Sequence, residues 1–160
     1  MARKVLSGAF GVDLSKVHTS TSSDRFSYRT MVEADSGVYI YGQASGAIAE
    51  GALCFIDETG QVTEMTTTNS GSTPKEACVC VADGGLADNA EGWFWRGKGV
   101  EEVLVADSVA DDAALTTTAS AGVAGAGGDA VNSLVTTEAN SSGGAALTTC
   151  QAAGLLSTNE

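Results

Sequence analysis

Apolar positions along this chain come in short runs with a period of two, separated by turns rich in Gly, Asp, Ser and Thr. That grammar predicts strands, because side chains on a strand alternate between its faces. Val38-Tyr39-Ile40-Tyr41 follows Gly37 and stops at Gly42-Gln43. Past Ala47-Ile48-Ala49-Glu50-Gly51 comes Ala52-Leu53-Cys54-Phe55-Ile56, then the turn Asp57-Glu58-Thr59-Gly60, then Gln61-Val62-Thr63-Glu64-Met65 in strict alternation. Two strands joined by a tight loop are expected there. Thr66 to Pro74 reads as a polar loop. Ala77-Cys78-Val79-Cys80-Val81 is continuously apolar, which predicts a strand buried on both faces and closed by Asp83-Gly84-Gly85.

Gly92-Trp93-Phe94-Trp95-Arg96-Gly97-Lys98-Gly99 runs straight into Val100-Glu101-Glu102-Val103-Leu104-Val105. Trp93 and Trp95 share one strand face and Phe94 takes the other. Gly97 and Gly99 suggest a tight reversal, so the block reads as a hairpin with aromatic anchors at the centre of the core. Large aromatics are usually needed for packing. Trp93, Phe94 and Trp95 are therefore expected in the core or at a subunit interface, and the alternative is a stacking platform for a sugar or nucleobase. Asp107 to Leu115 reads as a structured loop, and Thr116 to Gly125 alternates small residues. Val131 to Val135 is a further strand. From Thr136 to Glu160 only Leu147, Leu155 and Leu156 are bulky, and the pattern leaves open whether this tail closes a barrel or frays. The expected fold is all-β: a compact β-barrel or β-sandwich of short strands with an extended N-terminal arm.

Composition sharpens the picture at the N-terminus. The 160 residues suit one domain of ordinary size. Net charge is −12, but five of the eight Lys and Arg residues (Arg3, Lys4, Lys16, Arg25 and Arg29) fall before residue 30, against only Asp13 and Asp24. The leader is thus +3 and the remainder −15. A body so acidic is a poor nucleic-acid partner, since phosphate binding needs clustered cations. Two readings of residues 1–29 stand: a disordered terminus, or a basic arm folding onto a neighbouring subunit through Val5, Leu6, Phe10 and Val12. No stretch reaches the roughly 18 apolar residues of a membrane span. Residues 7–13 are too polar for a signal-peptide core, so no export is expected.

Candidate chemistry is thin. Cys78-x-Cys80 sits on one strand face with side chains about 7 Å apart, too far for an unstrained bridge. The chain lacks the C-x-x-C or His spacing of a zinc site. Cys54, Cys78, Cys80 and Cys150 are therefore expected as buried small hydrophobes, reduced in a cytosol. His18, the sole histidine, lies in the basic leader, so a nucleophilic triad would need a flexible arm. Gly97-Lys98-Gly99 lacks the remaining glycine and hydroxyl of a phosphate loop. Asp57-Glu58, Glu101-Glu102 and Asp111-Asp112 are adjacent pairs whose members point to opposite strand faces. No enzyme, metal or cofactor is expected.

The succession of segments is more informative than any one of them. A tyrosine-bearing strand, Gly-Ala-Ile-Ala-x-Gly, the Asp-Glu-Thr-Gly turn and a Val-Cys-Val strand come first. Gly-Trp-Phe-Trp then leads through Gly-x-Gly into Val-Glu-Glu-Val-Leu-Val, and Ala-Leu-Thr-Thr-Thr-Ala-Ser-Ala-Gly-Val follows. Taken together, from about Val38 to Val135, this resembles the capsid cement, or head decoration, proteins of tailed bacteriophages. The resemblance implies a β-rich decoration domain over residues 30–160, made in the host cytoplasm and usually trimeric. It implies a site on the outer surface of the virion head, bound to the major capsid protein. Residues 1–29 would then be a capsid-binding arm through Arg3, Lys4, Phe10, Lys16, Arg25 and Arg29. The alternative is a carbohydrate- or receptor-binding β module displayed on the virion.

Overall fold

The computed structural model describes residues 12–70, 76–126, 128 and 130–155. These form eleven strands and no helix: β1 (Met31–Ala34), β2 (Gly37–Ala44), β3 (Leu53–Ile56), β4 (Gln61–Glu64), β5 (Glu76–Cys80), β6 (Glu91–Trp95), β7 (Gly97–Val105), β8 (Ala114–Thr117), β9 (Ala124–Gly125), β10 (Ala130–Thr136) and β11 (Ala146–Leu155). The all-β expectation holds, and the barrel is in fact double. One ring closes through β2, β4, β3, β5 and β6, because β6 pairs back onto β2. The second closes through β10, β11, β7, β9 and β8.

The first ring follows from its alternation. Ile40 and Ala44 of β2, Cys54 and Ile56 of β3, Val62 of β4, Cys78 and Cys80 of β5 and Phe94 of β6 form a single buried cluster. Residues drawn from all five strands can meet only inside the ring. The interior is narrow, so small residues alternate with large ones. Gly42 shows how narrow: a Cβ there would stand 2.7 Å from Val62 Cγ2. The β3–β4 turn is local chemistry, with Asp57 Oδ1 accepting from the amides of Thr59 at 2.8 Å and Gln61 at 2.9 Å.

The other face of the same strands carries Tyr39, Tyr41, Leu53, Val79, Trp93 and Trp95. It is continuous with the interior of the second ring, where Val103, Val105, Leu115, Leu134, Cys150 and Ala152 lie. Backbone bonds tie the rings together, from Leu104 N–H to Gly51 O and from Leu53 N–H to Gly122 O, both at 2.7 Å.

Two sequence readings need correction. The tryptophan hairpin does not exist: β6 and β7 are consecutive but unpaired. Both edges of β6 are taken, by β2 (Tyr39↔Trp95) and by β5 (Val79↔Trp95), so β7 has nowhere to dock beside it. Only Arg96 separates the two strands, too little for a hairpin turn. The chain instead bends through Gly97 (φ 96°) and Lys98 (φ 62°) and crosses into the second ring. The expected arm also divides. Arg3, Lys4 and Phe10 lie outside the described residues, whereas residues 12–29 are seated on the first ring, with Leu14 and His18 buried. The tail left open by the sequence is β11, which closes the second ring between β10 and β7.

Candidate docking face

Residues 12–30 cross the outer aromatic face of the first ring as a strap. Its anchor is a backbone bridge in which His18 N–H donates to Glu91 O at 2.8 Å and Glu91 N–H donates to His18 O at 2.9 Å. Phe26 packs on Trp93 at 5.0 Å and edge-on to Tyr41 at 5.4 Å between ring centroids. Tyr41 meets Trp93 edge-on at 5.2 Å. Such tilted contacts suit the aromatic quadrupole.

Beneath the strap, Glu91 is fully buried. The Arg25 guanidinium grips both its oxygens. Tyr28 Oη donates to it at 2.9 Å and Tyr41 Oη at 3.1 Å. Burial by itself raises the Glu91 carboxyl, but the hydrogen bonds from Arg25, Tyr28 and Tyr41 together outweigh it and the net shift is downward. The same burial, with the Glu91 charge, pushes the Tyr41 and Tyr28 phenols up. Tyr41 Oη also shares a hydrogen bond with His18 Nδ1 at 3.0 Å, and His18 Nε2 lies 3.6 Å from Asp24. Asp24 in turn pairs with Lys16 at the surface.

The basic residues singled out from the sequence therefore have different surroundings. Arg25 is occupied by Glu91. Arg29 donates to Asp57 O at 2.7 Å and to Glu76 Oε2 at 2.6 Å. Lys16 stays exposed beside Asp24. Trp93, Phe94 and Trp95 are all completely buried, which leaves neither indole a face for a ligand to stack upon. Trp95 Nε1 donates to Ser36 O at 3.0 Å, while Trp93 Nε1 and Arg96 Nε have no partner among the described residues.

Glu91 and Tyr41 were not singled out by the sequence reading. A signal existed: Glu91 is two residues before Trp93, on the same strand face, and an acid on a face otherwise filled by indoles calls for a cation. The four cysteines are buried and unbridged. Burial pushes each thiol up, Cys80 and Cys150 to about 12, which makes them poor nucleophiles. No cluster of metal-ligating side chains occurs among the described residues.

Beside the strap, a cleft of about 500 Å³ opens between Val12, Lys16 and Phe26 on one side and Met31 and Val32 of β1 on the other. Met31 is 58% exposed and Val17 on the strap 41%. The cleft borders a sheet edge, and Asp13, Lys16, His18 and Asp24 line it together with the apolar side chains. No protein-family model matches the chain, and no curated protein matches it.

Proposed function

We propose that this chain is a capsid decoration protein of a tailed bacteriophage. It would bind the outer surface of the mature head as a homotrimer and stabilise contacts between major capsid protein subunits. The observation that carries the reading is the ordered run of segments from Val38 to Val135, which falls on successive strands β2 to β10 of an all-β body. Two fused rings with buried thiols and an acidic exterior suit a part that must withstand mechanical load and remain unaggregated at high local concentration. Exposed Glu58, Asp83, Asp88, Asp111, Asp112 and Glu138 carry that acidity. Three linked copies multiply weak individual contacts by effective concentration, so no single tight pocket is required.

The test is to mix the purified chain with expanded heads lacking any decoration protein, then image the particles and heat them. Added density on the outer surface, with DNA release shifted to higher temperature, is the expected result. Heads that stay bare at saturating protein overturn the proposal.

A further inference from the structure

We infer that the cleft between the strap and β1 binds a small organic amine: one ammonium group on an apolar chain or ring. The ammonium donates to His18 Nε2 and to Asp24 Oδ2, and the apolar part lies against Phe26 and β1. The inference is independent of the capsid reading, and its test needs no virus heads.

It starts from the placing of one hydrogen. Tyr41 Oη lies 3.1 Å from Glu91 Oε2 and 3.0 Å from His18 Nδ1. A phenol has a single hydrogen to give, and an ionised carboxylate only accepts. Glu91 is ionised against Arg25, so the Tyr41 hydrogen goes to Glu91. His18 Nδ1 must then carry the hydrogen of its own bond to Tyr41, and in the neutral imidazole Nε2 is left as a bare acceptor. That nitrogen has no hydrogen-bond partner among the described residues, although His18 is only 2% exposed. It faces a second acceptor, Asp24 Oδ2, at 3.6 Å. A buried acceptor without a donor is costly. Both residues line the cleft, so a donor that enters it meets the pair. An ammonium nitrogen sits about 2.9 Å from each acceptor it serves, and two acceptors 3.6 Å apart can share one.

Charge and shape then select the ligand. Lys16 pairs with Asp24, whereas Asp13, also in the cleft wall, is hydrogen-bonded to Ser15 and has no cationic partner among the described residues. The cleft therefore holds one negative charge in excess, which favours a monocation over a neutral donor and repels an anion. Val12, Phe26, Met31 and Val32 supply apolar wall, against which the rest of the ligand must be hydrocarbon. A volume of about 500 Å³ is that of a small-molecule site.

Hexylamine is the probe, titrated into the full chain at about pH 8, above the ordinary imidazole range, with the ring nitrogens of His18 followed by nitrogen-15 NMR. In the free protein Nδ1 should be protonated and Nε2 bare, and saturating hexylamine should move the Nε2 resonance. Hexanol has the chain without the charge and hexanoate has the opposite charge; neither should move it. Asp24→Asn weakens one acceptor of the pair at an exposed position and should loosen hexylamine about tenfold, the worth of one charge-assisted hydrogen bond. Lys16→Met removes the cation that competes for Asp24 and should tighten it. Native tryptophan emission shows that the strap of each variant is still seated; if Asp24→Asn disturbs it, Lys16→Met and the comparison with hexanol carry the test. An Nε2 already protonated in the free protein, a resonance that hexylamine does not move, equal binding of hexanol, or binding indifferent to both substitutions would each overturn the site.

Discussion

Glu91 is a carboxylate without solvent contact whose ionised form is held by Arg25, Tyr28 and Tyr41. Its folded-state pKa lies below the ordinary 4.5. The stability this contributes is therefore present in full above about pH 5 and is lost as pH falls through the lowered value. Asp24, Asp57, Asp107 and Glu138 are lowered too, so the wild-type acid slope is a sum. Glu91→Gln should be less stable than wild type at pH 7 and show a shallower decline below pH 4.5 in urea melts read by tryptophan fluorescence. An unchanged slope would show that the strap is not fastened through this carboxylate. Trp95 separates packing from hydrogen bonding at one position. Trp95→Ala should cost about 3–5 kcal/mol by cavity formation. Trp95→Phe keeps most of the packing but leaves Ser36 O without its donor, and should cost about 1 kcal/mol for the bond itself.

At the level of elements, the crossover from β6 to β7 determines how the two rings meet, and it depends on backbone approaching backbone. A Cβ on Gly99 would stand 2.3 Å from Ser36 O, and one on Gly37 would stand 2.4 Å from Gly97 O. Neither obstacle is a flexible side chain, so Gly99→Ala should destabilise by about 1–3 kcal/mol through overpacking, visible as a lowered urea midpoint with unchanged slope. The tryptophan block misled because Gly-x-Gly after a strand looks the same whether the chain reverses or crosses over. Which occurs depends on whether the edges of β6 are free, and that is decided by β2 and β5, far away in sequence. By contrast, β3, its Asp57 turn and β4 were legible because every determinant lies within a dozen residues. β11 was not, since Ala, Thr and Gly give little hydropathic contrast between faces even though Thr148, Cys150 and Ala152 are buried. The strap was half legible: its charge stood out, but the acid that holds Arg25 lies 66 residues along the chain.

Over the whole molecule, the outer face of the first ring and the interior of the second form one apolar cluster containing Trp93, Trp95, Val103, Leu115 and Leu134. Neither ring can open without exposing part of the other's core. The backbone bonds Leu104–Gly51 and Leu53–Gly122 cross between them and break with either. At 160 residues the chain is near the size where intermediates become common, so cooperativity has to come from that shared core rather than from smallness. Both tryptophans belong to β6 of the first ring, which makes their fluorescence a local reporter, whereas far-ultraviolet circular dichroism sums strands from both rings. The two signals should give one midpoint and one slope in urea, the signature of a single transition. Two separated midpoints, with fluorescence unchanged while half the strand signal is lost, would mean that the second ring melts alone. Load applied to one ring would then not be shared by the other, which would count against the proposed role as a clamp between capsid subunits.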